Sequence, residues 1–424
     1  MSFSFRRSSS VFYFFLLLFA LLIPLVSSRI FLSAQIKTGA EVFLEKNISL
    51  VEKKRVGIVC NTSSYVHAKK KNIVEALLEN NITITALFSP EHGFRTNVSA
   101  GEKIFHQTDF ATGISLFSLY GKTLKPAKEM LRNVDVLVFD LQDVGARYFT
   151  YASTMANCME SAAEENIPFI VLDTPNPLGG KEVEGFLLED SLQSFIGKFP
   201  IPIRHGLTIG ELAKMFVGEH WISSSEKLAM KIIPCENWSR AMLWNETKLQ
   251  WISPSPNIVS STTALVYAGT CLFEGTNISE GRGTEFPFQT IGAPWIEKEL
   301  LRKEMLQEYL PGVNFSAMEF TPLPHQQRAI SPKYAHKKCN GVFLDVTDEK
   351  KYEPLSTAIA LLVALQKLFP DSLRFHETQF DRLAGTTKLR KAILSKKTAN
   401  EITMTWNDDV KNFMERRKKY LLYE

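Results

Sequence analysis

The chain has 424 residues, of which 45% are apolar and 22% charged, with 49 basic and 45 acidic side chains giving a net charge of +4. That length accommodates two ordinary domains, and the composition is that of a globular protein. The near balance of charge, without a basic stripe interleaved with aromatics, argues against nucleic acid as a partner.

Residues 1–28 read as a signal peptide rather than as part of the fold. Arg6 and Arg7 precede an apolar run from Val11 to Val26, and Ser27-Ser28 are small residues suited to cleavage before Arg29. The run is short for a membrane span, so a secreted or lumenal protein is expected, with a signal-anchored membrane protein as the alternative. No membrane association is expected after signal removal. Asn-x-Ser/Thr sequons at Asn47, Asn61, Asn81, Asn97, Asn237, Asn245, Asn277 and Asn314 agree with a glycoprotein of the secretory pathway. The cysteines Cys60, Cys158, Cys235, Cys271 and Cys339 contain no CxxC, so neither a zinc ribbon nor a redox motif is indicated.

A lead-in helix is expected over residues 36–50, after which strands and helices alternate. Residues 55–60 (RVGIVC) read as a strand, 70–79 as a helix with apolar residues at helical spacing, and 82–87 (ITITAL) as a second strand. Pro126 opens a helix through Leu131. Residues 134–140 form a continuous apolar strand of the kind covered on both faces, 151–165 a helix, and 169–173 another buried strand. This is the signature of an α/β fold, a Rossmann-like doubly wound parallel sheet, here over residues 29–250. No GxGxxG or Walker A sequence follows any of these strands, so no cofactor is expected. The extended connector at 253–257 then leads into a smaller α+β C-terminal domain, residues 251–424. It carries a strand at 341–346, an apolar helix at 355–369 and an amphipathic helix at 408–420. Arg416-Arg417-Lys418-Lys419 reads as a solvated helix face.

Several strand ends carry polar groups: Asn61; Glu91 and His92; Asp140, Asp143 and Arg147; and Asn176. In a parallel sheet such ends converge on one edge, where ligands are handled. Two further segments could close the site, one with Arg204 and His205 and one with Glu280 and Arg282. These residue types suit glycoside chemistry. A carboxylic acid in a partly apolar pocket can hold a proton and donate it to a leaving oxygen. Tyr148 and Tyr151 could stack a sugar, and arginines can grip a carboxylate bidentately. His92, Asp140, Asp143 and His205 lack a ligand spacing such as HExxH, so no metal is expected. No GxSxG elbow marks a serine hydrolase.

A set of motifs resembles a known family. FSPEHGFR (88–95), SLYG (118–121), VDVLVFDLQDVGARYFTY (134–151), DTPNP (173–177) and IPIRHGLTIGELA (201–213) occur in order. PSPN (254–257), YAGTCLFEGTNISEGRGTEFPF (267–288), IGAPW (291–295) and FDRLAGT (380–386) follow. Together they resemble the NamZ-type exo-β-N-acetylmuramidases, a family of peptidoglycan hexosaminidases. The resemblance implies a Rossmann-like domain, an auxiliary domain and a cleft between them. It implies removal of terminal non-reducing N-acetylmuramic acid from peptidoglycan fragments, with the glutamate of the PEHG motif, Glu91, as catalytic residue. Thr174 is a departure, standing where an Arg is expected in the family's DRPNP.

The reading is therefore a secreted glycoside hydrolase acting on peptidoglycan fragments or muramic-acid glycans. Glu91 is its expected general acid, and Asp140 or Asp143 would activate water or orient the acetamido group. Asn61, His92, Arg147, Tyr151, Asn176, Arg204, His205, Glu280 and Arg282 are the expected substrate-binding residues. The alternatives are a non-catalytic sensor of wall fragments and a hexosaminidase of shifted sugar specificity.

Overall fold

Short apolar strands alternating with helices build one large sheet here. The computed structural model describes Met1, Ser2, residues 35–95 and residues 107–424. Apart from Met1 and Ser2, the expected signal peptide falls outside the described residues, as does the sequon at Asn97. The strands are β1 (Arg55–Cys60), β2 (Tyr65–Val66), β3 (Lys71–Asn72), β4 (Thr83–Ser89), β5 (Gln107–Thr108) and β6 (Ser115–Ser118). They continue with β7 (Val136–Asp140), β8 (Phe169–Leu172), β9 (Met230–Ile233), β10 (Thr290–Ala293), β11 (Val313–Phe320) and β12 (Cys339–Val346).

The large sheet has the order β5-β6-β4-β1-β7-β8-β9. All its pairs are parallel except β5 with β6. The chain winds outward from β1 through β4 and β6, then from β7 through β8 and β9. The order therefore reverses between β1 and β7, a topological switch point of the doubly wound kind. β7 and β8 are buried throughout and β1 is buried after Arg55. Such uninterrupted burial requires cover on both faces. One face packs the Ile73–Glu79 helix and the Gly39–Val42 helix around Phe43, Ile58 and Val138. The other packs the helices Tyr151–Glu164 and Ile209–Gly218 around Phe139, Phe169 and Phe216. That second core continues through Leu265 and Phe288 to Val342 and Leu361. It thereby joins the large sheet to the antiparallel sheet β10-β12-β11 and to the Pro354–Leu368 helix.

The Leu421–Glu424 segment returns to the large sheet. The Tyr423 hydroxyl donates to the buried Asp173 carboxylate, and Leu422 N donates to Glu211 Oε1 at 2.9 Å. Arg240 N donates to the Glu424 carbonyl, also at 2.9 Å. The basic run just before it is not a solvated face throughout. Arg417 is buried and donates to the carbonyls of His205 at 3.1 Å and Gly206 at 2.9 Å. Gly206 has φ +60, and a Cβ there would lie 2.5 Å from Arg417 Nη1. Arg416 pairs with Glu219. All five cysteines are buried free thiols. Among the described residues no helix is long and apolar enough to cross a membrane.

Candidate active site

Strand β4 ends at Ser89, and Pro90 denies the ladder a further N–H donor. The turn closes with Gly93 N donating to Pro90 O at 3.1 Å. His92 and Gly93 are both left-handed, at φ 72 and 75. For His92 that is an uncommon conformation, of the kind held where surrounding structure over-determines it. The turn presents Glu91, whose Oε2 accepts a hydrogen bond of 2.9 Å from Thr150 Oγ1. Thr150 is the residue that leads into the Tyr151–Glu164 helix.

Glu91, His92 and Thr150 line a cleft of about 140 Å³. Tyr148, Phe149, Tyr267 and Phe288 give it an aromatic wall, joined edge to face at centroid distances of 5.3 Å for Tyr148–Tyr267 and 4.8 Å for Tyr267–Phe288. The Tyr148 hydroxyl lies 2.6 Å from Ala268 O, which ties the loop after β7 to the Ser261–Thr270 helix. The cleft also receives Glu274 and Arg282 from the glycine-rich segment, Ser255 from the connector, Ile258 from just after it, and Gln379 and Leu383. Arg282 lies over the Phe288 ring at 5.0 Å and donates from Nε and Nη2 to Glu274 Oε1, at 3.1 and 2.7 Å. Burial disfavours the charge on Arg282, but Glu274 and Glu280 outweigh it and raise its pKa.

Other expected site residues stand behind this cleft rather than on its wall. Asn61 is fully buried; its Nδ2 donates to Tyr151 OH at 2.7 Å and to Pro254 O at 3.4 Å. Tyr151 in turn donates to Pro254 O, so the pair fixes the connector whose next residue, Ser255, lines the cleft. Asn176 staples its own loop, donating to Leu207 O and accepting from Leu178 N, both at 2.9 Å. Glu280 is buried against Lys333 at 3.1 Å and Arg282 at 3.6 Å.

The remaining arginines are committed elsewhere. Arg147 Nη1 donates to the carbonyls of Phe186 at 2.8 Å and Ile201 at 2.9 Å, and Nη2 to Leu383 O at 2.9 Å. Arg204 donates to Glu184 at 2.6 Å and to Leu178 O at 2.9 Å. Neither lines the cleft, so neither is placed to grip a substrate carboxylate there.

Asp143 and His205 form a separate buried pair, and Asp140 is buried at the end of β7. His205 Nδ1 accepts from Leu207 N at 3.2 Å, which leaves its proton on Nε2, 3.9 Å from Asp143 Oδ2. Burial, reinforced by the charges of Arg417, Arg147 and Arg240, holds His205 down at about 3, so it is neutral. Burial pushes Asp140 up to about 8 and Asp143 up to about 7, the latter opposed by the N–H groups of Gly145 and Val144. Asp140 Oδ2 and Asp143 Oδ1 are buried without a hydrogen-bond partner. These two carboxyls are close to the switch point yet do not line the cleft. Thr174 is likewise buried and off the cleft wall. Among the described residues no group of three or more His, Cys, Asp or Glu could hold a metal ion.

Sequence reasoning missed Thr150 as a cleft residue, and it placed the segment that begins at Glu274 at the site without singling out Glu274 itself. Both sit inside quoted motifs, YFTY and LFEGT, but a neutral hydroxyl and an acid on a short 3-10 segment carry no spacing signal of their own.

Comparison with known proteins shows the family of the chain. The profile of exo-beta-N-acetylmuramidase NamZ, N-terminal, matches residues 56–262, and that of the NamZ C-terminal part matches residues 265–423. The chain is 41% identical over 391 residues to the peptidoglycan beta-N-acetylmuramidase NamZ of Bacillus subtilis (strain 168), covering 92% of each chain. Two crystal structures of DUF1343 family proteins from Bacteroides fragilis NCTC 9343 are similar in fold. One has a TM-score of 0.84 at 35% identity and the other 0.74 at 34%. Each alignment covers 92% of this chain and 99% of the other. The chain belongs to the exo-β-N-acetylmuramidase NamZ family and is a glycoside hydrolase.

Proposed function

We propose that this enzyme releases terminal non-reducing N-acetylmuramic acid from peptidoglycan fragments, with Glu91 as general acid. One observation carries the reading: Glu91 is held by Thr150 in a cleft that also offers an aromatic wall and one arginine. Thr150 occupies Oε2, which leaves Oε1 to pass a proton to the glycosidic oxygen as its bond to the anomeric carbon breaks. Tyr148, Phe149, Tyr267 and Phe288 supply an apolar face for the sugar ring beside Glu91. Of the three expected arginines, Arg282 is the one that lines this cleft, and it is assigned to the lactyl carboxylate of the muramic acid. His92, beside Glu91, contacts the same sugar. The chain divides near residue 250 into a catalytic and an auxiliary part, and the enzyme is secreted as a glycoprotein after loss of residues 1–28.

The test is turnover of a chromogenic β-N-acetylmuramide beside the matching β-N-acetylglucosaminide, with wild type and Glu91→Gln. Muramide cleavage that falls by about 10²–10⁴ in the folded variant is expected. Near-wild-type turnover by Glu91→Gln would remove Glu91 from the mechanism, and cleavage of the glucosaminide alone would remove the muramic-acid assignment.

A further inference from the structure

Glycosidases that use one carboxyl as acid commonly place a second carboxylate across the scissile bond. Asp140 and Asp143 are buried behind the cleft and do not line it. Glu274 does line it, with Glu91, and reaches it from a different element, the 3-10 segment Cys271–Gly275. Its side chain is 24% exposed, so it is accessible from the cleft without being a free surface group.

Glu274 is also held firmly. Gly275 packs directly on Phe380, leaving no space for a Cβ, which would lie 2.5 Å from Phe380 Cα. Lys333 Nζ, set among the carbonyls of this segment, lies 2.8 Å from Phe273 O and 3.3 Å from Glu274 O. Both hydrogen bonds from Arg282 fall on Glu274 Oε1. Oε2 is therefore the oxygen left to face a substrate or a water. A carboxylate fixed by a guanidinium on one oxygen and open at the other has the form of a positioned base.

We propose that Glu274 is the second catalytic carboxylate, accepting a proton from the water that attacks the anomeric carbon. The proposal rests on the reading of Glu91 as general acid. In the step, the water oxygen bonds to the anomeric carbon while the glycosidic carbon–oxygen bond breaks. The bonding electron pair leaves with the glycosidic oxygen, which takes the proton of Glu91, and the proton lost by the water passes to Glu274. The products are the free sugar with inverted configuration and a glycan shortened by one residue. Exchange of one proton from Glu274 to solvent and one from solvent to Glu91 resets the site.

The experiment compares wild type, Glu274→Gln and Glu274→Ala on the chromogenic β-N-acetylmuramide, with and without sodium azide. The expected loss in kcat is about 10²–10⁴-fold, with KM within about threefold. Azide restores turnover in Glu274→Ala, because a small anion needs no base to attack, and does not restore it in Glu91→Gln. The sugar released by wild type appears first as the α-anomer. An active wild type with Glu274→Gln within about threefold of it would overturn the proposal alone. So would a folded Glu274→Ala enzyme that azide leaves inactive, which makes Glu274 only a strut for Arg282, and so would first release of the β-anomer. A folded wild type inert towards the muramide would overturn the substrate reading, and this proposal with it.

Discussion

Thr150 Oγ1 and Glu91 Oε2 stand 2.9 Å apart, so the residue that opens a helix after β7 fixes the carboxyl delivered by β4. The two are 59 positions apart in the chain and meet because β4 and β7 both flank β1. Removing the hydroxyl removes the contact and leaves the turn itself intact. Thr150→Ala is expected to lower kcat by about 3–10-fold, the kinetic equivalent of a net hydrogen bond of about 0.5–1.5 kcal/mol. Thr150→Ser should regain most of it. Steady-state kinetics on the muramide, with melting temperatures alongside, check this, and unchanged kinetics in Thr150→Ala would show that Glu91 needs no such support.

The buried Asp140 carries a pH signature of its own. Its carboxyl is raised by burial to about 8, so the folded state keeps a proton that the unfolded chain gives up near pH 4. Its contribution to stability is therefore fully present below about pH 4 and is lost as pH rises through about 8. Asp140→Asn has no proton to lose. Its melting temperature relative to wild type should be lowest near pH 4 and should climb steadily towards pH 9, with turnover within about threefold of wild type because residue 140 is off the cleft. A flat difference across that range would mean the carboxyl is ionised and solvated in the folded protein.

The sequons differ in what a glycan would meet. The amide nitrogen of Asn61 is fully buried and donates to Tyr151 and Pro254, so it cannot be the attachment point in a folded chain. Asn81, Asn237, Asn245 and Asn314 are exposed. In protein secreted from eukaryotic cells, peptide mapping should find glycans at exposed sequons and none at Asn61. Occupancy at Asn61 would contradict the packing behind the cleft, and a secreted product bare at every site would remove the glycoprotein reading.

Much of the fold was legible because β1, β4, β7 and β8 are apolar runs bounded by turn residues, and buried parallel strands need little else. β6 and β9 were not legible. Each is four residues long and only partly buried, so their pairing with β4 and β8 is set by the sheet rather than by their own pattern. At the site, Glu91, His92 and Arg282 could be read from Pro-Glu-His-Gly and the glycine-rich turn. The other arginines could not be sorted in advance. Arg147 and Arg204 have the same forked donors as Arg282, and only the arrangement of distant carbonyls, such as those of Leu383 and Leu178, decides that their Nη groups are held away from the cleft. A one-dimensional pattern records which groups can bond and not which of them are already satisfied.

The bond between Tyr423 and Asp173 spans 250 positions. A ribosome adding about 5–20 residues per second needs on the order of tens of seconds to cover that distance. Once β9 has followed, the strands of the large sheet are all made while a buried acid at the end of β8 still lacks its tyrosine. Glu211, which is ion-paired with Arg240 at 2.6 Å, then still lacks Leu422. The first half of the polypeptide is thus synthesised before the last residues that complete its own interior.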